Sequence, residues 1–240
     1  MHIPDGYLGP ITYGSLWAVV IPIWIYASKK VKEILKASQV PLVALSAAFS
    51  FVIMMFNVPL LGGTTGHATG ATLIAILVGP WPAVIALSIA LIVQALIFGD
   101  GGITAIGANC FNMGFAGLLV GYGTYKLISS EKLRVQSLKF KNSDTETSRS
   151  SLSTRHLIGA GIGAYAGINL AAFLAAIELG IQPLLHTGAD GRPLYSPFPL
   201  NITIPAIVLE HIFLFGIVEA VVTVSVLIYI KKSHSELIRG

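Results

Sequence analysis

The chain begins with Met1-His2, a pair whose nitrogen atoms are spaced for metal chelation. The α-amine of Met1, the amide nitrogen of His2 and the imidazole Nδ1 of His2 can bind one ion through fused five- and six-membered chelate rings. The three nitrogens then lie in one plane, which suits Ni²⁺ or Cu²⁺. These residue types therefore predict a planar nitrogen site with one corner open.

Chelation by the α-amine requires a mature chain that begins at Met1. Residues 1–10 contain no positively charged n-region, and no small-residue cleavage site follows the first apolar stretch. The bulky side chain of His2 also disfavours removal of the initiator methionine, so we expect a retained Met1 with a free amine. Pro4-Asp5-Gly6 is a turn sequence that can fold the terminus back onto the protein, which makes Asp5 a candidate supporting residue.

The best candidate for the fourth donor is His67, in the loop sequence GGTTGHATG. Its glycines allow close approach to another segment. The alternative is a loop histidine without a function. We expect His186 to lie on the surface of an outer loop, and His156 and His234 to be solvated in charged cytoplasmic segments.

Four other polar residues lie in apolar stretches and are candidates for a supporting role. His211 and Glu219 fall in the last apolar stretch, and ionisable residues within a membrane are usually functional. A structural His–Glu pair joining helices is the alternative. Asn109 and Asn112 are three residues apart and share a helix face, from which they can bond to neighbouring helices or to the folded-back N-terminus.

The composition predicts an integral membrane protein. The 240 residues are 54% hydrophobic and 11% charged, with a mean hydropathy of +0.78. Soluble domains have about 25% charged residues. The single cysteine, Cys110, excludes an intramolecular disulfide and a thiolate metal cluster.

The apolar pattern predicts an all-α fold of about seven transmembrane helices in a single membrane domain, residues 1–240, with residues 1–10 as an external metal-binding segment. The third span is short for a bilayer, which needs about 20 residues. Pro80-Trp81-Pro82 separates it from the fourth by a tight turn, so a re-entrant hairpin with five true spans is the alternative. The predicted spans are Ile11–Ser28, Val40–Asn57, Ala68–Gly79, Ala83–Phe98, Thr104–Ile128, Leu157–Ile181 and Thr203–Ile230.

The basic residues predict the orientation. Every Lys and Arg except Arg192 falls on one side of these spans. By the positive-inside rule that side is cytoplasmic, which places the N-terminus and His67 outside and the C-terminus inside. The polar stretch Ser129–Arg155 is then a cytoplasmic linker. Glycines repeat every four residues at Gly159, Gly163 and Gly167, which predicts close helix packing within the protein.

Several stretches resemble the CbiM/NikM family, the substrate-capture subunits of energy-coupling-factor transporters for cobalt and nickel. They are MHIPDGYLGP, GGTTGHATG, GDGGITAIGANCFNMG and EHIFLFGIVEAVVT. The resemblance covers nearly the whole chain except the linker. It implies a seven-helix subunit of a prokaryotic plasma membrane whose N-terminus plugs an outward-facing pocket. It also implies that the metal is held by the Met1 amine, the His2 amide and imidazole, and His67.

The predicted function is therefore capture of a divalent ion, with Ni²⁺ favoured over Co²⁺ because low-spin Ni²⁺ prefers four planar nitrogens. The ion is a substrate, and we expect no prosthetic group. The sequence contains no G-x-x-x-x-G-K-[ST], so ATP hydrolysis is assigned to separate ATPase subunits. The resemblance implies these partners, a membrane coupling subunit and a small accessory membrane subunit. A stand-alone permease or channel is the alternative; an intramembrane metalloenzyme is disfavoured because no H-E-x-x-H occurs.

Overall fold

The computed structural model describes residues 1–60, 64–129 and 153–233. Within these ranges the chain is helical apart from one short antiparallel hairpin, β1 Val58–Leu60 and β2 Thr64–Gly66. Most of the predicted linker, residues 130–152, and His234 lie outside the described residues. The α-helices are α1 Pro10–Ile34, α2 Val40–Met54, α3 Ala71–Val78, α4 Pro80–Val93, α5 Ile106–Asn109, α6 Leu118–Ser129, α7 Thr154–Gly180, α8 Gln182–Leu185, α9 Leu200–Glu210 and α10 Gly216–Ser233.

In the described part of the chain, five helical stretches are long and apolar enough to cross a membrane. This set includes the fourth predicted span but lacks the third and the fifth. It therefore differs from the seven-span prediction. It also differs from the re-entrant alternative, in which the third and fourth spans do not cross the membrane and the fifth does. The fifth is less apolar because asparagines and glycines interrupt it. The seven-span count and the orientation stay predictions. The five stretches are Pro10–Ile34, Ala37–Met54, Pro80–Phe98, Thr154–Leu185 and Leu200–Ser233.

The α3–α4 hairpin confirms a tight turn between the third and fourth predicted spans, but the turn lies at Gly79, and Pro80-Trp81-Pro82 belong to the first turn of α4. Helix α3 has only eight residues, a length of about 12 Å at 1.5 Å per residue. It ends at Gly79, whose φ of +89° is unfavourable for residues with a Cβ. Pro80 then begins α4, where its missing N–H costs no helical hydrogen bond. The short α3 leaves its N-terminus inside the protein, next to the loop that carries His67.

Close packing of α7 against the preceding helical segment confirms the prediction from its glycine repeat. The backbone of Gly117 lies where a Cβ on Gly167 would be, and the backbone of Gly121 blocks a Cβ on Gly163 in the same way. The preceding segment is α-helical at both ends and π-helical over Cys110–Gly117. Two other segments of the described chain are also π-helical. Gln94–Phe98 follows α4, and His211–Phe215 joins α9 to α10.

Candidate metal centre

The N-terminal segment enters the interior of the protein. Met1, His2 and Ile3 are only 1%, 3% and 0% exposed. The Ile3 N–H donates to Oδ1 of Asn109 at 2.9 Å, and Nδ2 of Asn109 donates back to the Ile3 carbonyl at 3.2 Å. The Gly102 N–H donates to the same carbonyl at 2.8 Å. The predicted contact between Asn109 and the folded-back terminus is therefore present.

The β-hairpin holds the first two residues from another side. The Thr64 hydroxyl donates to the His2 carbonyl at 2.9 Å, and the Met1 amine donates to the Thr65 carbonyl. Because His67 directly follows β2, these two bonds also fix its position relative to the terminus. Gly66 is needed here because the Phe215 ring occupies the space that a Cβ would fill.

Asp5 anchors the turn that leads out of the interior. Its carboxylate accepts hydrogen bonds from the N–H groups of Ile103 and Thr104, both at 2.9 Å, and from the Thr104 hydroxyl at 2.5 Å. Burial alone would raise the pKa of Asp5, but these three donors lower it, so the residue is an exposed carboxylate at neutral pH. Asp5 thus supports the insertion without contacting the buried nitrogens.

The imidazoles of His2 and His67 meet at the inner end of this segment. Their ring centres are 4.5 Å apart and their planes differ by 22°. Nδ1 of His67 lies 3.1 Å from the Ala68 carbonyl, so it carries the proton and donates. Nε2 of His67 is then a free lone pair, buried and without a hydrogen-bond partner. Fixing one ring nitrogen by a backbone carbonyl is how proteins commonly orient a metal-binding histidine.

Burial keeps the nitrogens of this region uncharged. It lowers the pKa of the Met1 amine from 8.0 to about 4, although the negative charge of Asp100 opposes the shift. The pKa of His2 is also lowered by burial, again opposed by Asp100. The pKa of His67 falls well below 6.5 because of burial, to which the nearby amine and His2 add. At neutral pH each of the three groups is therefore uncharged and has one nitrogen with a lone pair.

Glu219 holds the other end of the His67 loop. Its carboxylate accepts the Thr69 N–H at 2.6 Å, the Thr69 hydroxyl at 3.1 Å and the Gly70 N–H at 3.2 Å. These groups precede and begin α3, whose buried N-terminus would otherwise leave amide donors unpaired. Glu219 therefore supports His67 through the backbone, two residues away.

Two other predicted supporting residues make their hydrogen bonds to helices rather than to the terminus. Nδ2 of Asn112 donates to Glu178 on α7 at 2.8 Å, so it joins two helices. Nδ1 of His211 donates to the Ile207 carbonyl at 2.7 Å, and its fully buried Nε2 has no partner. The His211 ring packs on Phe215, with ring centres 5.2 Å apart. The His–Glu pair that was the alternative is not formed among the described residues; His211 bonds to its own helix backbone.

The expectation for His156 was wrong. Its side chain is 4% exposed rather than solvated: the ring centre lies 6.1 Å from that of Tyr125, and Nδ1 is 2.8 Å from the Ser153 hydroxyl. Charged neighbours in the sequence therefore did not predict exposure. His186 follows α8 and is half-buried, because its ring packs against Gly9.

Asp100 and Gln182 also touch the N-terminal segment and were not among the predicted site residues. Oδ1 of Asp100 lies 3.2 Å from Nδ1 of His2, without hydrogen-bonding alignment. Oε1 of Gln182 accepts the Gly9 N–H at 3.0 Å. The one available signal was that Asp100 lies in the same GDGGITAIGANCFNMG stretch as Asn109. Nothing local distinguishes Gln182.

No group of three or more His, Cys, Asp or Glu side chains in the described residues converges into a metal site. Side chains alone therefore do not supply three metal ligands at this point. The remaining donors available at this point are backbone nitrogens, namely the neutral Met1 amine and the His2 amide. In the part of the chain that the structure describes, no hydrogen bond engages the His2 N–H.

Comparison with known proteins gives consistent results. Residues 2–237 match the family model described as "cobalt uptake substrate-specific transmembrane region". The chain is 46% identical over 239 residues to the fused nickel transport protein NikMN of Rhodobacter capsulatus, covering 99% of this chain and 64% of that protein. It is 44% identical over 238 residues to a protein of Methanocaldococcus jannaschii named for metal transport, covering 99% and 94%. A crystal structure of a truncated transition metal transporter superposes with a TM-score of 0.86 at 48% identity, covering 98% of this chain and 100% of that one.

Proposed function

Because the chain belongs to the family of cobalt uptake substrate-specific transmembrane regions, we propose that it captures Ni²⁺ or Co²⁺ as the substrate-specific subunit of an ATP-driven importer. Proteins of this family transport cobalt or nickel. The finer assignment, which includes separate ATPase subunits and a membrane coupling subunit, is supported by the resemblance of the motifs. The chain spans 64% of the length of the fused nickel transport protein, so further parts of such a machine are expected on other chains or segments.

We propose four donors for the ion: the Met1 amine, the His2 amide nitrogen, Nδ1 of His2 and Nε2 of His67. The observation that carries this assignment is that Nδ1 of His2 and Nε2 of His67, both buried and without a hydrogen-bond partner, lie in the same buried place as the Met1 amine. Two imidazoles on adjacent corners of a square, with metal–nitrogen bonds of about 2 Å, would have ring centres roughly 4–5 Å apart. The observed separation of 4.5 Å fits that geometry.

A planar set of four nitrogens favours Ni²⁺ over Co²⁺ as the substrate. Cu²⁺ binds such donors still more tightly by the Irving–Williams order, so selection against it depends on metal supply and on the rigidity of the site. The hydrogen bonds to Ile3, His2 and Thr69 supply that rigidity here.

The decisive experiment changes the register of the terminus while keeping every side chain. One alanine inserted between Met1 and His2 adds an amide to the chelate and moves the amine away from the imidazole. Met1 is 1% exposed and the cavity beside it is only about 10 Å³, so the extra residue has no space. We expect isothermal titration with Ni²⁺ to show 1:1 binding for the native chain and none for the insertion variant. His67→Ala should bind far more weakly.

An alanine inserted between Asp190 and Gly191, in an exposed outer turn, serves as the control and should bind like the native chain. In cells, a tag that blocks the Met1 amine should abolish metal uptake, whereas a C-terminal tag should not. Normal uptake by an uncleaved N-terminal fusion would refute the chelate.

A further inference from the structure

Asp100 is placed against the predicted metal ligands by the local fold. The π-helical segment ends at Phe98, and Gly99 turns the chain with a φ of +66°. The Asp100 N–H then donates to the Gln94 carbonyl at 3.1 Å. This turn directs the carboxylate toward His2, from which it is 3.2 Å away.

The carboxylate is also held from its far side. Nδ2 of Asn57, at the end of the segment that follows α2, donates to Oδ2 of Asp100 at 2.9 Å. The Asp100 side chain is 17% exposed, so it lies at the outer edge of the centre rather than on the surface. Asn57 thus binds one carboxylate oxygen of Asp100, and the other oxygen, Oδ1, faces the His2 ring.

The chemistry of capture creates a need for a negative charge at this place. A divalent ion that displaces the His2 amide proton is bound by one amidate and three neutral nitrogens, which leaves one net positive charge. A buried charge without a counter-charge is strongly unfavourable. Of the described carboxylates that border the centre, Glu219 is engaged by Thr69 and Gly70, and Asp5 by Ile103 and Thr104.

We propose that Asp100 is the counter-charge of the captured ion, an assignment that rests on the capture function. Asp100 makes the bound assembly neutral without joining the four donors. It therefore favours divalent ions that form the amidate complex.

The test compares full-length chains with native N-termini. Asp100→Asn keeps the size of the side chain and removes its charge; Asp100→Glu restores the charge. Asp190→Asn removes a carboxylate that is exposed in the outer loop and pairs with Arg192. We expect Asp100→Asn to bind Ni²⁺ roughly 10–100-fold more weakly, the usual effect of losing a residue that supports a metal ligand. Asp100→Glu should recover part of the affinity, and Asp190→Asn should bind normally.

Two further readouts separate a counter-charge from other roles. At saturating Ni²⁺, Asp100→Asn should show the same visible absorption bands as the native chain, because the four nitrogens are unchanged. Without metal, its Met1 amine should react with an acylating reagent at the native rate, because docking of the terminus does not depend on the charge.

Unchanged Ni²⁺ affinity in Asp100→Asn would overturn the assignment while leaving the capture function intact. Altered absorption bands would show that Asp100 is a metal ligand. Amine labelling that is faster by the same factor as the loss in affinity would show that Asp100 only helps to dock the terminus. Either result would overturn the assignment of Asp100 as a counter-charge. Failure of the native chain itself to bind Ni²⁺ would instead refute the capture function.

Discussion

Removing the Asn109 side chain should undock the N-terminal segment. Asn109→Ala deletes two hydrogen bonds to Ile3, each of which contributes about 1 kcal/mol net. The Ile3 carbonyl keeps the Gly102 N–H, so its lost bond costs only about 1 kcal/mol; the buried Ile3 N–H is left without a partner, so its lost bond costs about 1–3 kcal/mol instead. The docked state is therefore destabilised by roughly 2–4 kcal/mol, a factor of roughly 30–1000 in its equilibrium constant.

The acylation rate of the Met1 amine measures this equilibrium, because the docked amine is buried and only the undocked amine reacts. The metal-free Asn109→Ala protein should be labelled at least about 30-fold faster than the native chain. Asn112→Ala is the matched control: it lies three residues away, is equally buried and bonds to Glu178 instead of the terminus. It should unfold more easily but be labelled at the native rate. Equal labelling of both variants would refute this account of docking.

Two other changes test the electrostatics of the centre. Lowering the pH should favour undocking. The pKa of the free Met1 amine is near 8.0 and that of the docked amine is about 4, so docking releases a proton between these pH values. The docked state is therefore destabilised by about 1.4 kcal/mol for each unit by which the pH falls in this range. Ni²⁺ titrations between pH 8 and 5 should show falling affinity; a flat profile would indicate carboxylate or water ligands. Glu219→Gln replaces the carboxylate that accepts hydrogen bonds from Thr69 and Gly70 by an amide with only one oxygen. Both the melting temperature and the Ni²⁺ affinity should therefore fall. Glu210→Gln, on the same helical stretch, is the control and should change the Ni²⁺ affinity little.

The proximity of Met1, His2 and His67 could be predicted from the sequence because it depends on topology. Counting apolar spans places the terminus and the His67 loop on one side, and the turn at Asp5 directs the chain inward. Asn109 was predictable as a contact because a buried amide needs a partner. Asp100 was not, because an aspartate between glycines is typical of any turn. Its role arises only when Gly99 turns it toward a segment that is distant in the sequence.

The exact course of the helices depends on tertiary packing rather than on local pattern. In an apolar stretch every face is hydrophobic, so periodicity cannot show where a π-helical segment interrupts the helix. Phe215 ends such a segment where its ring fills the hollow at Gly66. The burial of His156 likewise involves tertiary packing, because its ring lies 6.1 Å from that of Tyr125 on α6, a contact that its charged neighbours in the sequence do not reveal.

A chain terminus is well suited to this centre for a physical reason. An internal loop that entered the helical interior would bring two strands of backbone, whereas a terminus brings one, and its amine and first amide supply two nitrogen donors without any side chain. The cost is the loss of the amine's charge, about 1.4 kcal/mol at pH 7 for a group with a free pKa of 8. The bonds of Ile3 to Asn109 and Gly102, and of His2 to Thr64, offset it. Docking therefore removes the amine proton before any ion arrives, so in the proposed chelate only the His2 amide proton would remain to be displaced at neutral pH.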